Sequence, residues 1–220
     1  MKHYKILLVF LICVASCIKA QDNNCSRITY FGEKEVCLPI IDGYNECYNH
    51  PTIKYIADNT EVAVNVVLGY YLNDENYEER DSLEGVLFDD YFKIYATKEL
   101  SDYNADQEDL KQMKTMLAGN FIQKNWDEMK EDIADAGIQA QIDTPTVIKS
   151  YQLNDDSFTN LMVANYNIEG QEPYTMSIAL NGILINEQFI WMAYYLIYTE
   201  EKTIEQLQIN SDSILKAIQN

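Results

Sequence analysis

Residues 156–198 constrain the fold of this chain more than any other stretch. They hold three β-type runs, Ser157–Ile168, Tyr174–Ile185 and residues 189–198, separated by the polar segment 169–173 and by Asn186, Glu187 and Gln188. Apolar, β-branched and aromatic runs broken by Gly, Pro and Asn predict an antiparallel meander. In the middle run Tyr174, Met176, Ile178 and Leu180 fall on one face at period two, with Thr175, Ser177 and Ala179 on the other. Asn181-Gly182 reads as a two-residue hairpin turn, because both residues tolerate positive φ. The alternative is a bulge at Gly182 with the turn at residues 186–188, and the sequence does not choose between them. The third run is apolar on both faces, which predicts a central strand covered from both sides by packed helices.

The flanks supply the rest of the architecture. Residues 27–39 read as a hairpin turning near Gly32, and Pro39 stops the pairing. Residues 40–51 read as a turn and a loop holding Cys47, His50 and Pro51. Residues 61–72 form a β-branched strand, and residues 73–84 a polar, acidic connection. In the strand 91–97, Phe92, Ile94 and Ala96 oppose Tyr91, Lys93 and Tyr95. Leu110, Met113, Leu117 and Phe121 form one helical stripe, and Ile122, Trp126, Met129, Ile133 and Ala136 a second, displaced by one residue. The slip near Gly119-Asn120 predicts a kink or two helices, with Gly137 as a stop. Residues 147–151 read as a strand. Thr203, with Gln206 three residues on, predicts a capping box opening a last helix whose face carries Ile204, Leu207, Ile214 and Ile218. Segregated blocks of this kind give an α+β class, an antiparallel β-sheet with helices packed on it, as a single domain over residues 21–220.

The order of elements resembles the PsbP-like α/β/α sandwich, shared by photosystem accessory proteins, Ran-binding nuclear factors and bacterial secretion chaperones. The likeness is carried by a first hairpin ending in Val36-Cys37-Leu38-Pro39, the Gly43-Tyr44 pair, the mid-chain helix, Asn181-Gly182 and the closing helix from Thr203 to Ile218. Where that pattern places Trp after the glycine, this chain has Tyr44. The resemblance implies a binding or assembly protein without catalytic residues, and it transfers no binding residue to a position here, since fold does not give function.

Residues 1–20 read as a signal peptide. Lys2 and Lys5 precede the apolar run 6–15, which is too short to span a bilayer. Two processing sites compete: Val14-Ala15-Ser16-Cys17 resembles a bacterial lipobox that leaves Cys17 lipidated, and Ile18-Lys19-Ala20 resembles an ordinary signal-peptidase site. The expected location is secreted, periplasmic or tethered to the outer membrane by lipid, with no other membrane contact. Cys25, Cys37 and Cys47 then meet an oxidising compartment, where an odd number permits at most one internal disulfide. Cys37 and Cys47 bracket a short loop and are the expected pair, with Cys25 to either as the open alternative.

Charge excludes more than it assigns. The chain carries 16 basic and 35 acidic residues, a formal net charge of −19. Loss of Lys2, Lys5 and Lys19 leaves 13 against 35, or −22. Such a field repels phosphate backbones and anionic bilayers, so nucleic acid is not an expected partner. Outside the signal peptide His50 is the only imidazole, without a GxSxG elbow beside it. Asp102-Tyr103-Asn104-Ala105-Asp106 begins like a calcium loop, but Gln107 replaces the required glycine and Met113 the bidentate Glu, so Asp106 reads as a helix cap. No metal or cofactor is expected. Tyrosines on the predicted strands, Tyr70, Tyr71, Tyr95 and Tyr195, are the candidate partner-binding residues, because rigid amphipathic rings suit protein recognition. The resulting expectation is a non-enzymatic envelope protein that binds a protein partner, basic by charge complementarity, through an acidic, Tyr-rich surface. A carboxylate- or metal-dependent hydrolase and a small-ligand-binding module are the alternatives.

Overall fold

Side-chain alternation decides which face each strand turns to which helix. The computed structural model describes residues 25–81, 88–118, 121–135, 140–168 and 170–219. Among these, the strands are β1 (Cys25–Phe31), β2 (Lys34–Pro39), β3 (Tyr44–Glu46), β4 (Asn65–Asn73), β5 (Asp90–Thr97), β6 (Ala140–Ile142), β7 (Thr146–Asn154), β8 (Ser157–Ile168), β9 (Tyr174–Ile185) and β10 (Gln188–Ile197). The helices are α1 (Pro51–Asn59), α2 (Asp74–Glu78), α3 (Gln107–Ala118), α4 (Phe121–Asp135) and α5 (Lys202–Ile218). The signal peptide with Cys17, the slip at Gly119-Asn120 and the stop at Gly137 lie outside the described residues.

The β1–β2 hairpin stands apart from a larger antiparallel sheet ordered β3-β4-β5-β10-β9-β8-β6, with β7 also pairing β8. On its first face Phe92, Ile94 and Ala96 of β5 and Ile190, Met192 and Tyr194 of β10 meet Leu207, Ile214 and Leu215 of α5. Phe31, Val36 and Leu38 of the hairpin close the same layer. The opposite face carries Phe158, Met162, Met176 and Ile178 against Leu110 and Leu117 of α3 and Ile122 and Trp126 of α4. Ile53 and Ala57 of α1 lie on Val67 and Leu72 of β4. Helices thus cover an antiparallel sheet from both sides, the α+β arrangement expected. Burying each large apolar side chain in these layers contributes about 1.5–3 kcal/mol before the entropy of ordering is subtracted.

The meander is present, but its turn is not at Asn181-Gly182. β9 passes straight through both residues, and the chain reverses at Asn186 and Glu187, with φ of 50° and 62°. That pair of left-handed residues matches the twist of the flanking strands. Asn181 is buried under α5 instead. Its Oδ1 accepts hydrogen bonds from Thr159 Oγ1 at 2.7 Å and Ser211 Oγ at 3.2 Å, and its Nδ2 donates to Met192 O at 3.0 Å. Gly182 is held by packing, since a Cβ there would run into the ring of Phe158.

The disulfide joins Cys25 to Cys37, not Cys37 to Cys47. Alternation along β2 sends Val36 and Leu38 into the core and Cys37 outward beside β1, whereas Cys47 is a buried free thiol. Arg27 then ties the hairpin to the sheet, with Nε 2.8 Å and Nη2 3.0 Å from the two carboxylate oxygens of Glu46. Helix α1 begins at Pro51, where the expected loop ends, and runs through residues to which the sequence assigned no element; Pro51 lies in its first turn, a position where the missing N–H costs nothing. Thr203 lies within the first turn of α5, and its Oγ1 accepts from the backbone N–H groups of Thr199 and Glu200 at 3.3 Å, so the expected capping box does not form. Asp106 does cap α3, its Oδ1 accepting from Glu108 N at 2.8 Å and Asp109 N at 3.1 Å.

Candidate functional site

On the second face, the principal helix contacts are those of α1 with β4 and of α3 with β8 and β9. The middle strands β5 and β10 lie between these two walls. Their side chains on this face are Tyr91, Lys93 and Tyr95 from β5, paired across the ladder with Tyr195, Ala193 and Trp191 from β10. All but Ala193 are half-buried. Among the described residues, a row of half-buried aromatic rings thus lies between the two helical walls, the floor of a trough along the strands.

The rings stand beside one another like plates. Tyr91 stacks on Tyr195 with centroids 4.7 Å apart, and Tyr70 stacks on Tyr91 at 5.5 Å. Farther along, Tyr95 lies parallel to Trp191 at 6.5 Å, and Phe189 meets Trp191 edge-on at 4.8 Å. Stacked and edge-on pairs of this kind each add about 0.5–1.5 kcal/mol beyond their buried area, so the floor is rigid. Burial pushes the hydroxyls of Tyr70, Tyr91 and Tyr95 well above the ordinary tyrosine range and raises that of Tyr195. All four are neutral at physiological pH and offer hydrogen bonds without charge.

One ion pair sits among them. Lys93 Nζ lies 2.5 Å from Glu61 Oε2, with the two side chains 17% and 8% exposed. Burial alone would favour a neutral amine, but Tyr195 and the Glu61 carboxylate more than offset it and raise the Lys93 pKa. Lys93 therefore stays protonated and also lies over the Tyr95 ring, 5.2 Å from its centroid. Glu61 is saturated from its other oxygen, which accepts from Asn65 Nδ2 at 2.8 Å. The pair cancels its own charge and gives the trough a polar waist.

Phe189, edge-on to Trp191, also lines a cleft of about 470 Å³ beside α3, together with Tyr103, Ala105, Asp109, Gln112, Met113 and Met116 among others. That volume lies within the usual range for ligand pockets.

Of the four tyrosines expected at a binding surface, the structure brings Tyr70, Tyr95 and Tyr195 together here. Tyr70 contributes mainly as packing, being 4% exposed. Tyr71 does not join them. It faces the other side of the sheet, fully buried, stacked on Phe92 at 4.2 Å, with its hydroxyl donating to Pro39 O at 2.9 Å. A β-bulge between Val67 and Gly69 and strict alternation after it separate these neighbours in sequence onto opposite faces. The sequence reading omitted Tyr91, Lys93, Glu61 and Trp191 from the site. The first two were legible, because Tyr91, Lys93 and Tyr95 share one face at period two. Trp191 and Glu61 depend on the pairing of strands far apart in the chain.

Among the described residues, the site consists of aromatic rings and one internally neutralised ion pair. His50 Nε2 lies 3.1 Å from Asp81 Oδ1, without a nucleophile bonded to it among the described residues. No three of His, Cys, Asp and Glu converge into a metal-holding group among the described residues, and none of their helices is long and apolar enough to cross a membrane.

No protein-family profile and no curated protein sequence matches the chain. Among solved structures it is similar to the Saccharomyces cerevisiae Ran-binding protein Mog1p, at 11% identity over 84% of this chain and 86% of that one, with a TM-score of 0.35. It is also similar to a point mutant of Mog1, at 11% identity over 88% of each chain, with a TM-score of 0.32. Similarity at this level carries no argument about function.

Proposed function

We propose that the protein is a non-enzymatic binding protein that docks a basic protein partner on the aromatic trough of β5 and β10. The observation that carries this reading is the half-buried row of Tyr91, Tyr95, Tyr195 and Trp191 left between two helical walls. Tyr and Trp held rigid on strands lose little entropy on contact, which is why such residues dominate binding energy at interfaces. The formal charge of −19 favours encounter with a basic surface. Crosslinking of the purified protein to envelope extracts, read by peptide mass spectrometry, tests the reading. Partner crosslinks should map to residues 91–97 and 189–197, and Tyr95→Ala and Tyr195→Ala should each weaken capture by about tenfold. Crosslinks confined to the opposite face, around the β1–β2 hairpin, overturn it.

Export from the cytoplasm, by the segment 1–20, belongs to the same reading. Intact mass of protein from its native source distinguishes its two forms, an acylated chain beginning at Cys17 or a free one beginning at Gln21. A mass that includes residue 1 sinks both.

A further inference from the structure

The cleft beside α3 differs in chemistry from the trough it adjoins. Its walls are largely apolar, with Asp109 and Gln112 as the polar members, and adaptable: Met116 is 42% and Tyr103 48% exposed, and Met113 is half-buried. Thioethers on flexible stems fit apolar side chains of varied shape.

The margin is acidic: Asp109 lines the cleft, Glu108 lines the hollow beside it that shares Gln112 and Met116, Glu187 O accepts from Ala105 N at 2.8 Å, and Glu99, Asp102 and Asp106 adjoin the lining residues Leu100, Tyr103 and Ala105 in sequence. The bases nearby are already engaged. Lys34 Nζ is held by Asn104 Oδ1 at 2.7 Å and Asn186 O at 3.0 Å, and Lys98 Nζ by Ala63 O at 2.6 Å. Lys114 Nζ is turned to Gln152 Oε1 at 2.7 Å, and Lys111 pairs with Glu108 at 3.4 Å. Asp109 is used internally by the Tyr103 hydroxyl at 3.0 Å, and Asp106 by the α3 cap. Glu99 and Asp102 are left to face solvent.

We propose that this cleft receives an apolar side chain from a basic amphipathic segment of the partner, with Lys or Arg of that segment set against the acidic rim. An apolar opening with an acidic margin selects a ligand bearing both features, and each one rejects a different class. An acidic amphipath is repelled at the rim, and a basic but non-amphipathic chain leaves the cleft unfilled. The inference rests on the trough as the docking surface, and it names what the end of that surface reads.

The test uses the whole protein and three labelled synthetic helical peptides in fluorescence anisotropy. One carries Leu at i, i+3, i+4 and i+7 with Lys elsewhere, so that its helix is amphipathic and basic, one replaces its Lys by Glu, and one replaces its Leu by Ala. The Leu/Lys peptide should bind at least about tenfold more tightly than either control. Met116→Lys, an exposed change between good helix formers, should abolish that preference while circular dichroism and melting stay those of the wild type. Equal binding of the Ala/Lys peptide reduces the site to non-specific charge attraction and overturns the proposal. So does unchanged binding by Met116→Lys protein. A wild-type dimer that Met116→Lys dissociates assigns the cleft to a second copy of the chain and likewise overturns it. Partner crosslinks on β5 and β10 that persist in Met116→Lys protein sink this inference alone, whereas their absence in wild type, with peptide binding intact, sinks the trough reading instead.

Discussion

Cys47 carries the odd thiol of the described residues, and its surroundings make it inert. The sulfur is buried, donates to Tyr70 O at 3.3 Å, and has its pKa pushed up to about 12 by burial and then by the neighbouring Glu46 carboxylate. Only the thiolate reacts, so native protein should leave Cys47 unlabelled by iodoacetamide under conditions that label denatured protein fully. Fast native labelling at that peptide would place the thiol at the surface. Asp90 is the other residue with a chemical consequence. Tyr44 Oη donates to its Oδ1 at 2.6 Å, the Tyr44 oxygen lies 3.1 Å from Tyr194 Oη, and Asn210 Nδ2 donates to Tyr194 at 2.8 Å. Burial outweighs these donors, and with Asp89 nearby it raises the Asp90 pKa. The folded state therefore holds the Asp90 proton more tightly than the unfolded chain. That contribution is greatest below the unfolded carboxylate pKa and is lost as pH rises through the folded one. Asp90→Asn keeps an acceptor for Tyr44 and removes the titration. The difference in melting temperature between variant and wild type should favour the variant increasingly as pH rises from the acid side of that window, then level off. A difference independent of pH would contradict the raised value.

At the scale of elements, the β1–β2 hairpin is closed by the Cys25–Cys37 bond and held to the sheet by the Arg27–Glu46 pair, by the Tyr71 hydroxyl on Pro39 O, and by the apolar contacts of Phe31, Val36 and Leu38. The bond closes a loop of sequence separation 12, and a loop of that size contributes about 3 kcal/mol by restricting the unfolded chain. Cys25→Ala/Cys37→Ala should lower the denaturant midpoint by a corresponding amount with one cooperative transition retained. An unchanged midpoint would show that the hairpin's contacts with the sheet hold it without the bond. The pairing itself was not legible from spacing, because Cys37 and Cys47 are closer in sequence but belong to opposite environments, one on the outward edge of β2 and one beneath α1. Strands β5, β8, β9 and β10 were legible because alternation or continuous apolarity survives in a single window. Helix α1 was missed because Ile53, Ile56 and Ala57 make a stripe of barely two turns, near the length where periodicity stops distinguishing helix from loop. Of the two turn positions left open by the sequence, the chain takes residues 186–188; Asn181-Gly182 has strong local turn chemistry, and tertiary contacts with Thr159, Ser211 and the Phe158 ring override it.

For the whole molecule, the trough was half-legible. Tyr70, Tyr95 and Tyr195 could be singled out as aromatic residues on strands, but which face each one takes depends on a bulge in β4 and on the register of β10 against β5. Those are long-range facts. The charge was legible throughout, and it acts on the molecule in two opposed ways. Like charges spread over a folded surface repel one another and destabilise the compact state, so salt that screens them stabilises the fold. The same screening weakens attraction to a basic partner, slowing association first. Among the ion pairs of the described residues, Arg27–Glu46 and Lys93–Glu61 are shielded, with acid side chains 6% and 8% exposed, and screening reaches them least; the exposed pairs Lys54–Asp58 and Lys111–Glu108 are screened first, but such pairs add little to stability. Titrating sodium chloride should therefore raise the melting temperature while it lowers affinity for the Leu/Lys peptide, two responses of opposite sign in one series. A melting temperature that falls in step with affinity would mean that attractive pairs, not net repulsion, dominate the electrostatics of the fold. The acidic exterior would then be a stabilising network, and its excess charge would no longer be a reason to expect a basic partner.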